Sequence, residues 1–426
     1  MRVLILGSGG REHAIAWKIS QSHTLDQLFV APGNPGTEQV GTNLNLDILN
    51  FPLIADAIKE HQIDLLVIGP EAPLVEGIVD FLRADDSLNK LRIIGPDKSG
   101  ALLEGSKDFA KSFMNRYGIP TARHKSFSKG QLAEAQQFLN EIEPPYVLKA
   151  DGLAAGKGVL IIDHIHEAKD ELRSMLENQK FGVASSTVVI EEYLDGIEMS
   201  VFVLSDGNHY KLLPEAKDYK RIGEGDTGLN TGGMGAVSPV PFASQSLMHK
   251  IEEKIIKRTI EGLKADKVHY CGFIFIGLMI VDREPFVIEY NVRMGDPETE
   301  VVMPRIDADL LQLLDAAARG SLDSIKIKHK KEAAATVILV SKGYPESYHK
   351  GYTIEGLDNI NSALIFHAGT KTEGESISTN GGRVLAVTSV ENTLKEALAQ
   401  CYKNCEQVNF EGKTFRKDIG LDVLLN

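Results

Sequence analysis

The sequence predicts an α/β protein with more than one domain, and three observations support this prediction. The chain has 426 residues, which is more than a single hydrophobic core usually holds. Short apolar runs alternate with amphipathic stretches over residues 1–100, the pattern of a parallel sheet with crossover helices. A glycine-rich hairpin and a β-rich C-terminal region follow.

The N-terminal sheet is predicted from four apolar runs, each of which ends at a Gly or Pro turn. These runs are RVLILG, LFVAPG, LLVIGP and RIIGP. An open, Rossmann-like sheet of this kind binds ligands at the carboxyl ends of its strands. We therefore expect residues 1–102 to form a domain with a ligand site at that edge of the sheet.

The middle of the chain reads as a larger unit with a small lid. Ser106 is the predicted N-cap of a helix over residues 103–120, which stops near Gly118. Residues 146–192 follow the order strand, glycine loop, strand, polar helix, strand, and predict a lid subdomain over about 122–191. A polar stretch near residue 325 separates this 103–325 domain from a small β-rich domain at 330–426.

Composition excludes several classes of protein. A formal net charge of −13 argues against a nucleic-acid-binding protein, whose contact surface is usually basic. Three cysteines give no disulfide framework, and Cys401 and Cys405 are expected one turn apart on a helix as small apolar residues. The first apolar run, Val3 to Leu6, is too short for a signal peptide, and the run at 272–281 is too short to cross a bilayer. We therefore expect a cytoplasmic protein that does not enter a membrane.

The segment FVIEYNVRMGDPETE at 286–300 predicts a metal site. Residues two apart on a strand share a face, so Glu289 and Asn291 should point into one cleft. Oxygen ligands so placed suit Mg²⁺. An isolated E-x-N followed by a proline turn is also ordinary loop chemistry. Arg293, the next residue in the alternation, carries a planar fork that fits a carboxylate or a transferring phosphate.

The first glycine loop, GSGGREHA at 7–14, follows a strand and opens a helix. The dinucleotide fingerprint requires glycine at its sixth position, where this chain has Glu12, and an acidic residue at the end of the second strand, which is absent. Nicotinamide binding is therefore disfavoured. The backbone N–H groups of the loop remain suited to a phosphate.

The second glycine loop lies in KADGLAAGKGVLII at 149–162. It fails as a Walker P-loop, because Gly152 to Gly156 is one residue short and Lys157 is followed by Gly158. It is also flanked by two strands. A hairpin tip rich in N–H groups can instead cover the β- and γ-phosphates of a nucleotide as a lid.

Several motifs together resemble those of phosphoribosylamine–glycine ligases (glycinamide ribonucleotide synthetases) of the ATP-grasp superfamily. They are G-S-G-G-R-E-H, G-P-E-A-P, D-T-G…T-G-G-M-G-A and R-x-G-D-P-E-T-E. The resemblance implies a central ATP-grasp fold, ATP as the nucleotide and Mg²⁺ or Mn²⁺ on Glu289 and Asn291. It implies the ligation of glycine to 5-phosphoribosylamine through a glycyl phosphate, giving glycinamide ribonucleotide, ADP and phosphate in de novo purine (IMP) biosynthesis.

Site residues are assigned by the same resemblance. Arg293 and Lys149 are the expected catalytic residues. The expected ATP-binding residues are Lys107, Lys149, Gly156, Lys157, Gly158, Glu191, Glu192, Leu194 and Glu198. The expected substrate-binding residues are Gly9, Gly10 and Arg11 near the 5-phosphate, Glu71 at the ribose, and Asp218, Asp226, Thr227 and Arg293.

Two positions depart from the resembled pattern. Tyr219 stands where the family usually has histidine, so no acid–base role is assigned to it. Many ATP-grasp proteins also carry an acid on the strand before E-x-N, whereas GFIFIGLMIV at 272–281 has none. A second set of protein ligands for metal therefore cannot be named.

Two other functions remain open on the sequence. One is a different ATP-grasp carboxylate–amine ligase or carboxylase, and the other is a nucleotide-binding regulatory protein without turnover. The expected partners are the small molecules glycine and 5-phosphoribosylamine. We expect a monomer or a weak homodimer.

Overall fold

The N-terminal part of the chain forms the predicted parallel sheet. The structure is a computed structural model that describes residues 1–153, 158–182 and 186–424. The first elements are β1 (Arg2–Gly7), α1 (Gly10–Ile19), β2 (Gln27–Pro32), β3 (Thr42–Asn43), α2 (Phe51–Glu60), β4 (Leu65–Ile68), α3 (Glu71–Glu76), α4 (Ile78–Arg83) and β5 (Arg92–Ile94). The sheet order is β3-β2-β1-β4-β5 with all neighbours parallel, which confirms the four predicted strands.

A pair of helices, α5 (Lys98–Gly105) and α6 (Lys107–Arg116), leads out of this sheet. The Ser106 hydroxyl accepts a hydrogen bond from the Phe109 backbone N–H at 3.0 Å, so the predicted N-cap is confirmed. The predicted stop near Gly118 is also confirmed, because α6 ends at Arg116 and Gly118 has a φ of +63°. Residues 103–105 of the predicted segment belong to α5, which the extended backbone of Ser106 separates from α6.

A small antiparallel sheet follows with the predicted order of elements. It comprises β6 (His124–Ser128), α7 (Leu132–Leu139), β7 (Tyr146–Ala150), β8 (Val159–Ile162), α8 (Ile165–Leu176) and β9 (Thr187–Glu192). The strand order is β6-β9-β7-β8. Phe127, Leu148 and Leu172 lie in a core of its own.

The next elements build the sheet that carries the predicted metal ligands. They are β10 (Ile197–Ser205), β11 (Tyr210–Leu212), β12 (Lys217–Asp218), β13 (Arg221–Gly223), β14 (Thr227–Asn230), β15 (Gly235–Ser238), α9 (Gln245–Ile251), α10 (Lys257–Ala265), β16 (Gly272–Val281), β17 (Glu284–Asn291), α11 (Thr299–Arg305) and α12 (Leu310–Ala318). The sheet order is β11-β10-β16-β17, and β16 and β17 pair with a bulge that places Glu289 opposite Gly277.

The C-terminal part is β-rich, as predicted. Its elements are β18 (Ala333–Ser341), β19 (Leu364–His367), β20 (Thr370–Glu373), β21 (Ser376–Thr379), β22 (Arg383–Glu391), α13 (Leu394–Gln407), β23 (Lys413–Thr414) and α14 (Leu421–Leu424). The main sheet runs β12-β15-β18-β22-β19. Strands β12 and β15 come from the glycine-rich segment 217–239, so this segment is an edge of the C-terminal sheet.

Two expectations about composition can be compared with the fold. Cys401 and Cys405 are fully buried on α13, as expected for small apolar residues one turn apart. Among the described residues, no helix is both long and apolar enough to span a bilayer.

Candidate active site

The end of β17 borders a cavity of about 130 Å³, and Glu289 and Asn291 both line it. Gly152, Leu153, Gly158 and Val159 of the lid hairpin line its other side. The side-chain nitrogen of Asn291 is buried and has no hydrogen-bond partner within the described part of the chain. An unsatisfied N–H donor suits an acceptor such as a phosphate oxygen. A hard cation would bind the Glu289 carboxylate and the side-chain oxygen of Asn291.

The neighbouring strand adds no acid to this pair. Gly277 of β16 lies opposite Glu289, and a Cβ built on it would come within 3.1 Å of Glu289 Cγ. In the described ranges no group of three or more His, Cys, Asp or Glu residues is arranged to hold a metal. The residues present therefore supply two protein ligands at most in this corner, and an ion would draw its others from phosphates and water.

Two predicted lysines lie in the same cavity. Lys149 is 5% exposed, and its Nζ lies 2.9 Å from Glu191 Oε1, a close ion pair that is poorly aligned for a hydrogen bond. Lys107 Nζ donates to the Gly152 carbonyl oxygen at 2.9 Å. Burial lowers the pKa of Lys107, and the charge of Glu289 opposes that shift. The cavity thus combines cationic and oxygen-donor side chains.

Arg293 also lines the cavity, but it follows β17 rather than belonging to it. Its guanidinium pairs with Glu104 Oε1 at 2.6 Å and with Glu71 Oε2 at 3.3 Å. Burial raises the pKa of Glu104 although Arg293 opposes the shift. Glu104, at the end of α5, was missed from the sequence because nothing in its local pattern marks a partner so distant in the chain. In this arrangement the fork of Arg293 is held by two protein carboxylates.

The glycine loop after β1 packs against the turn that follows β17. A Cβ on Gly10 would lie 2.4 Å from Glu300 Oε1, so only glycine fits there without displacing that carboxylate. The Gly9 N–H donates to Glu12 Oε2 at 2.7 Å, and Arg11 Nε donates to Glu12 Oε1 at 2.6 Å. Glu12 therefore occupies groups that were predicted to meet a phosphate, and the phosphate role of Gly9, Gly10 and Arg11 stays a prediction.

Comparison with known proteins decides the family. Models of the N, ATP-grasp (A) and C domains of phosphoribosylglycinamide synthetase match residues 1–104, 105–299 and 334–422. The chain belongs to the phosphoribosylglycinamide synthetase family. A phosphoribosylamine–glycine ligase of Fusobacterium nucleatum is 45% identical over 99% of this chain and 98% of that protein. A ligase of the same name from Vibrio cholerae is 45% identical, with 99% and 98% covered.

Solved structures agree with this family. A phosphoribosylamine–glycine ligase from Thermotoga maritima superposes with a TM-score of 0.85 at 36% identity and covers 98% of this chain and 100% of that one. A biotin carboxylase from Campylobacter jejuni has a TM-score of 0.73 at 16% identity, covers 100% of this chain and 95% of that chain, and shares the fold alone. The ATP-grasp fold predicted for the central region is confirmed.

Strand alternation directs the side chains of the segment Lys217-Asp218-Tyr219-Lys220 to two different sides. Lys217 pairs with Asp422 at 3.0 Å, and the Tyr219 hydroxyl donates to Asp422 Oδ1 at 2.5 Å. Lys220, on the other side, pairs with Glu198 at 2.8 Å. Tyr219 is 2% exposed, and so the residue that replaces the usual histidine makes a contact with the C-terminal helix α14.

Asp218 and Lys220 face a group of acidic side chains. Burial raises the pKa of Asp218, with opposing effects from Lys220. Although burial opposes it, the charges of Glu198, Asp218 and Glu289 raise the pKa of Lys220 well above its ordinary value. Lys220 thus stays cationic near the predicted metal ligands. This role of Lys220 was not predicted from the sequence, although the two-residue alternation of a strand places Lys220 on the same side as Asp218.

Asp226 and Thr227 lie in the exposed β13–β14 hairpin. Asp226 Oδ1 pairs with Arg416 at 2.7 Å, and Thr227 Oγ1 donates to the Glu224 carbonyl oxygen at 2.9 Å. Neither residue is among those that line the cavity. Their substrate role stays a prediction.

The remaining predicted ATP residues divide into four groups. Glu191 lines the cavity, whereas the Glu192 carboxylate accepts from the Arg123 N–H at 2.8 Å and Leu194 is half-buried in the connection to β10. Glu198 is held by Lys220. Gly156 and Lys157 lie outside the described residues.

The C-terminal sheet reaches the site through Arg383. Its guanidinium donates to the Asp296 carbonyl oxygen at 3.0 Å, pairs with Asp296 Oδ1 at 3.0 Å and donates to the Gly232 carbonyl oxygen. Burial raises the pKa of Glu298, two residues further on, to about 8, and the nearby charge of Asp218 adds to this effect. No role for Arg383 was predicted from the sequence, although it joins two of the family's motifs through Gly232 and Asp296.

Proposed function

We propose that the chain ligates glycine to 5-phosphoribosylamine with conversion of ATP to ADP and phosphate, as part of purine synthesis. The observation that carries this proposal is one cavity in which the E-x-N pair, two lysines and the lid hairpin meet. The three matched family domains and the named ligases over nearly the whole chain support the substrate assignment.

The chemistry requires activation of glycine, because the oxygen of a carboxylate is a poor leaving group. In the proposed sequence, a glycine carboxylate oxygen attacks the γ-phosphorus of ATP, which forms glycyl phosphate and releases ADP. The amine nitrogen of phosphoribosylamine then attacks the carbonyl carbon. The C–N bond forms, the C–O bond to phosphate breaks, and the nitrogen loses a proton. Positioning and charge neutralisation supply most of the catalysis in such transfers.

The chain's residues have distinct roles in this proposal. Lys107 and Lys149 hold phosphate oxygens, and Glu289 and Asn291 hold Mg²⁺ or Mn²⁺. A bound divalent cation there neutralises charge on the phosphates. Arg293 orients the glycine carboxylate or the transferring phosphoryl group, and for this it must exchange one of its protein carboxylates for the ligand. The lid hairpin excludes water from the acyl phosphate.

The size of the cavity implies movement around the nucleotide. Sites for drug-sized ligands usually measure roughly 300 to 1,000 Å³, and this cavity measures about 130 Å³. The residues of the lid hairpin that line it lie just after β7 and at the start of β8. We expect these residues to move outward when ATP enters, as is common for lids over phosphates.

Product formation tests the function. Purified protein is incubated with ATP, Mg²⁺, glycine and phosphoribosylamine, and glycinamide ribonucleotide, ADP and phosphate are measured. We expect stoichiometric product only when both substrates are present. ATP turnover with bicarbonate instead would indicate a carboxylase, and no turnover under any condition would indicate a regulatory nucleotide-binding protein.

Isotope transfer tests the intermediate. Glycine labelled with ¹⁸O in its carboxylate should transfer one ¹⁸O to the released phosphate, because the bond broken in the second step joins the labelled oxygen to carbon. Mass spectrometry of the phosphate measures the transfer. Unlabelled phosphate would contradict a glycyl phosphate.

A further inference from the structure

Three buried side chains that line the cavity form a charged group, which we name the Lys111–Glu191–Lys149 triad. Lys111 Nζ lies 2.9 Å from Glu191 Oε2, and Lys149 Nζ lies 2.9 Å from Glu191 Oε1. The three residues are 2%, 3% and 5% exposed, respectively. All three line the cavity, but the ligation chemistry gives Lys111 no task.

The triad connects the lid to the metal strand. Lys111 also donates to Thr121 Oγ1 at 2.7 Å, and that hydroxyl donates to the Val287 carbonyl oxygen at 2.7 Å. Lys149 donates to the Ile288 carbonyl oxygen at 3.3 Å. Lys149 is on β7 and Glu191 is on β9. The triad therefore connects these two strands of the lid sheet to Val287 and Ile288, which precede Glu289 on β17.

The charges of the three side chains in the triad suggest a role for Lys111. Glu191 paired with Lys149 alone would form a neutral pair and cancel the charge that phosphates require. With Lys111 sharing the same carboxylate, Glu191 neutralises Lys149 only in part, and the Lys149 ammonium keeps charge for an anionic ligand. Charge interactions are stronger at a buried position than in water, so this remaining charge on Lys149 acts strongly on phosphates.

We propose that Lys111 is a positioning residue that acts through Glu191. By sharing the Glu191 carboxylate, Lys111 keeps the ammonium group of Lys149 directed at the phosphates of the nucleotide and able to attract them. The inference rests on the proposed function, because it takes the cavity as the ATP site. Lys111 does not touch the reacting atoms. A purely structural lysine would instead affect thermal stability and leave nucleotide affinity unchanged.

The first experiment measures the Kd of Mg–ATP without glycine or phosphoribosylamine. Removing the shared charge in Lys111→Met should raise this Kd by at least about tenfold, and Lys111→Arg should restore it to within about threefold of the unmodified protein. At saturating ATP, kcat should stay within about threefold, because the transferred group is unaffected. An unchanged Kd in Lys111→Met would overturn the proposal.

Lys18 provides a matched control. It is 6% exposed on α1, and its ammonium donates to the Ile306 carbonyl oxygen at 2.7 Å, outside the cavity lining. Lys18→Met removes a buried charge of the same kind. We expect its Mg–ATP Kd to equal that of the unmodified protein.

A double-mutant cycle tests whether Lys111 acts through Glu191. Once Glu191→Gln has removed the carboxylate, further change of Lys111→Met should alter the Kd by less than about twofold. This pair also serves if Lys111→Met alone does not fold. A further loss of about tenfold or more on the Glu191→Gln background would show that Lys111 acts independently and would overturn the proposal.

The two proposals fail in different ways. If the unmodified protein does not bind Mg–ATP, the proposed function fails. If it binds ATP and forms product while Lys111→Met binds ATP equally well, the inference about the triad fails and the function stands.

Discussion

Alternation along strands decides which side chains reach the active site. It correctly predicted that Glu289 and Asn291 border one cavity. The same period sends Tyr219 toward Asp422 and Lys220 toward Glu198. A local sequence pattern does not show which residue forms an ion pair with a charged side chain. Arg293 meets Glu71 and Glu104 across long stretches of chain, and the sequence alone left its fork free for a ligand.

Removal of the proposed metal ligand should abolish ligation without unfolding the protein. We expect Glu289→Ala to lower kcat/KM by at least about a hundredfold, the scale of losing one major charge-stabilising group. Glu284→Ala is the control, because Glu284 begins the same strand but pairs with Lys250 and Lys254 at its outer end. Steady-state kinetics and thermal melting measure both variants. A Glu289→Ala enzyme with ordinary activity would remove the metal assignment.

Tyr219 should matter for stability rather than for catalysis. Tyr219→Phe removes the hydrogen bond to Asp422, and a hydrogen bond to a charged group contributes about 1.5 to 3 kcal/mol. We expect a lower Tm with kcat within about twofold of the unmodified enzyme, since the hydroxyl donates to Asp422 and Tyr219 is not among the residues that line the cavity. Thermal melting and initial rates measure the two effects. A tenfold loss of kcat at unchanged Tm would restore a catalytic role to this position.

Among the elements, buried strands were easier to predict than helix boundaries. The four apolar runs and the strand–loop–strand lid follow directly from hydrophobic runs that end at Gly and Pro. In the 103–120 segment the start at Ser106 and the stop near Gly118 were predicted, but the separate helix α5 was not, because Leu103 continues its apolar pattern up to the cap. A period of 3.6 residues does not show that Ser106, between the two helices, takes an extended backbone.

Loss of this cap should loosen the first turn of α6, which carries Lys107. Ser106→Ala should cost about 1 kcal/mol locally, equivalent to roughly fivefold faster amide exchange around Phe109. The control is Ser112→Ala in the same helix, where an exposed serine becomes a better helix former. Hydrogen exchange followed by mass spectrometry measures the difference. Equal exchange in both variants would show that the cap does not hold this turn.

At the scale of the whole molecule, the site is built from parts of the chain that are far apart in the sequence. Strand β15 pairs with β18, with Val237 opposite Ala335, so the family's glycine-rich segment depends on the C-terminal sheet for its shape. Arg383 then fixes the turn at Asp296. Pairings between residues so distant in the chain follow from tertiary packing, and only the resemblance to the family indicated that the segment belongs to an active site.

A buried histidine pair joins the N-terminal and C-terminal parts. His13 Nδ1 accepts a hydrogen bond from the His367 backbone N–H at 2.9 Å, and the two side chains belong to residues only 4% and 2% exposed. Burial lowers the pKa of His13 to about 3, with a further contribution from the charge of His367, and burial lowers the pKa of His367 to about 4. Both rings are therefore neutral in the folded protein above these values.

This pair should make the joined structure sensitive to acid. Below an ordinary histidine pKa of about 6.5 the unfolded chain takes up protons that the folded protein refuses, so stability is full near pH 7 and falls as the pH drops toward 4. The slope is at most about 1.4 kcal/mol per pH unit for each histidine. Tm should fall over this range, and His13→Gln should show a shallower fall although it starts from a lower Tm. Replacement of the exposed His23 by Gln is the control and should keep the full slope. Equal slopes in the His13 and His23 variants would show that His13 does not govern acid stability.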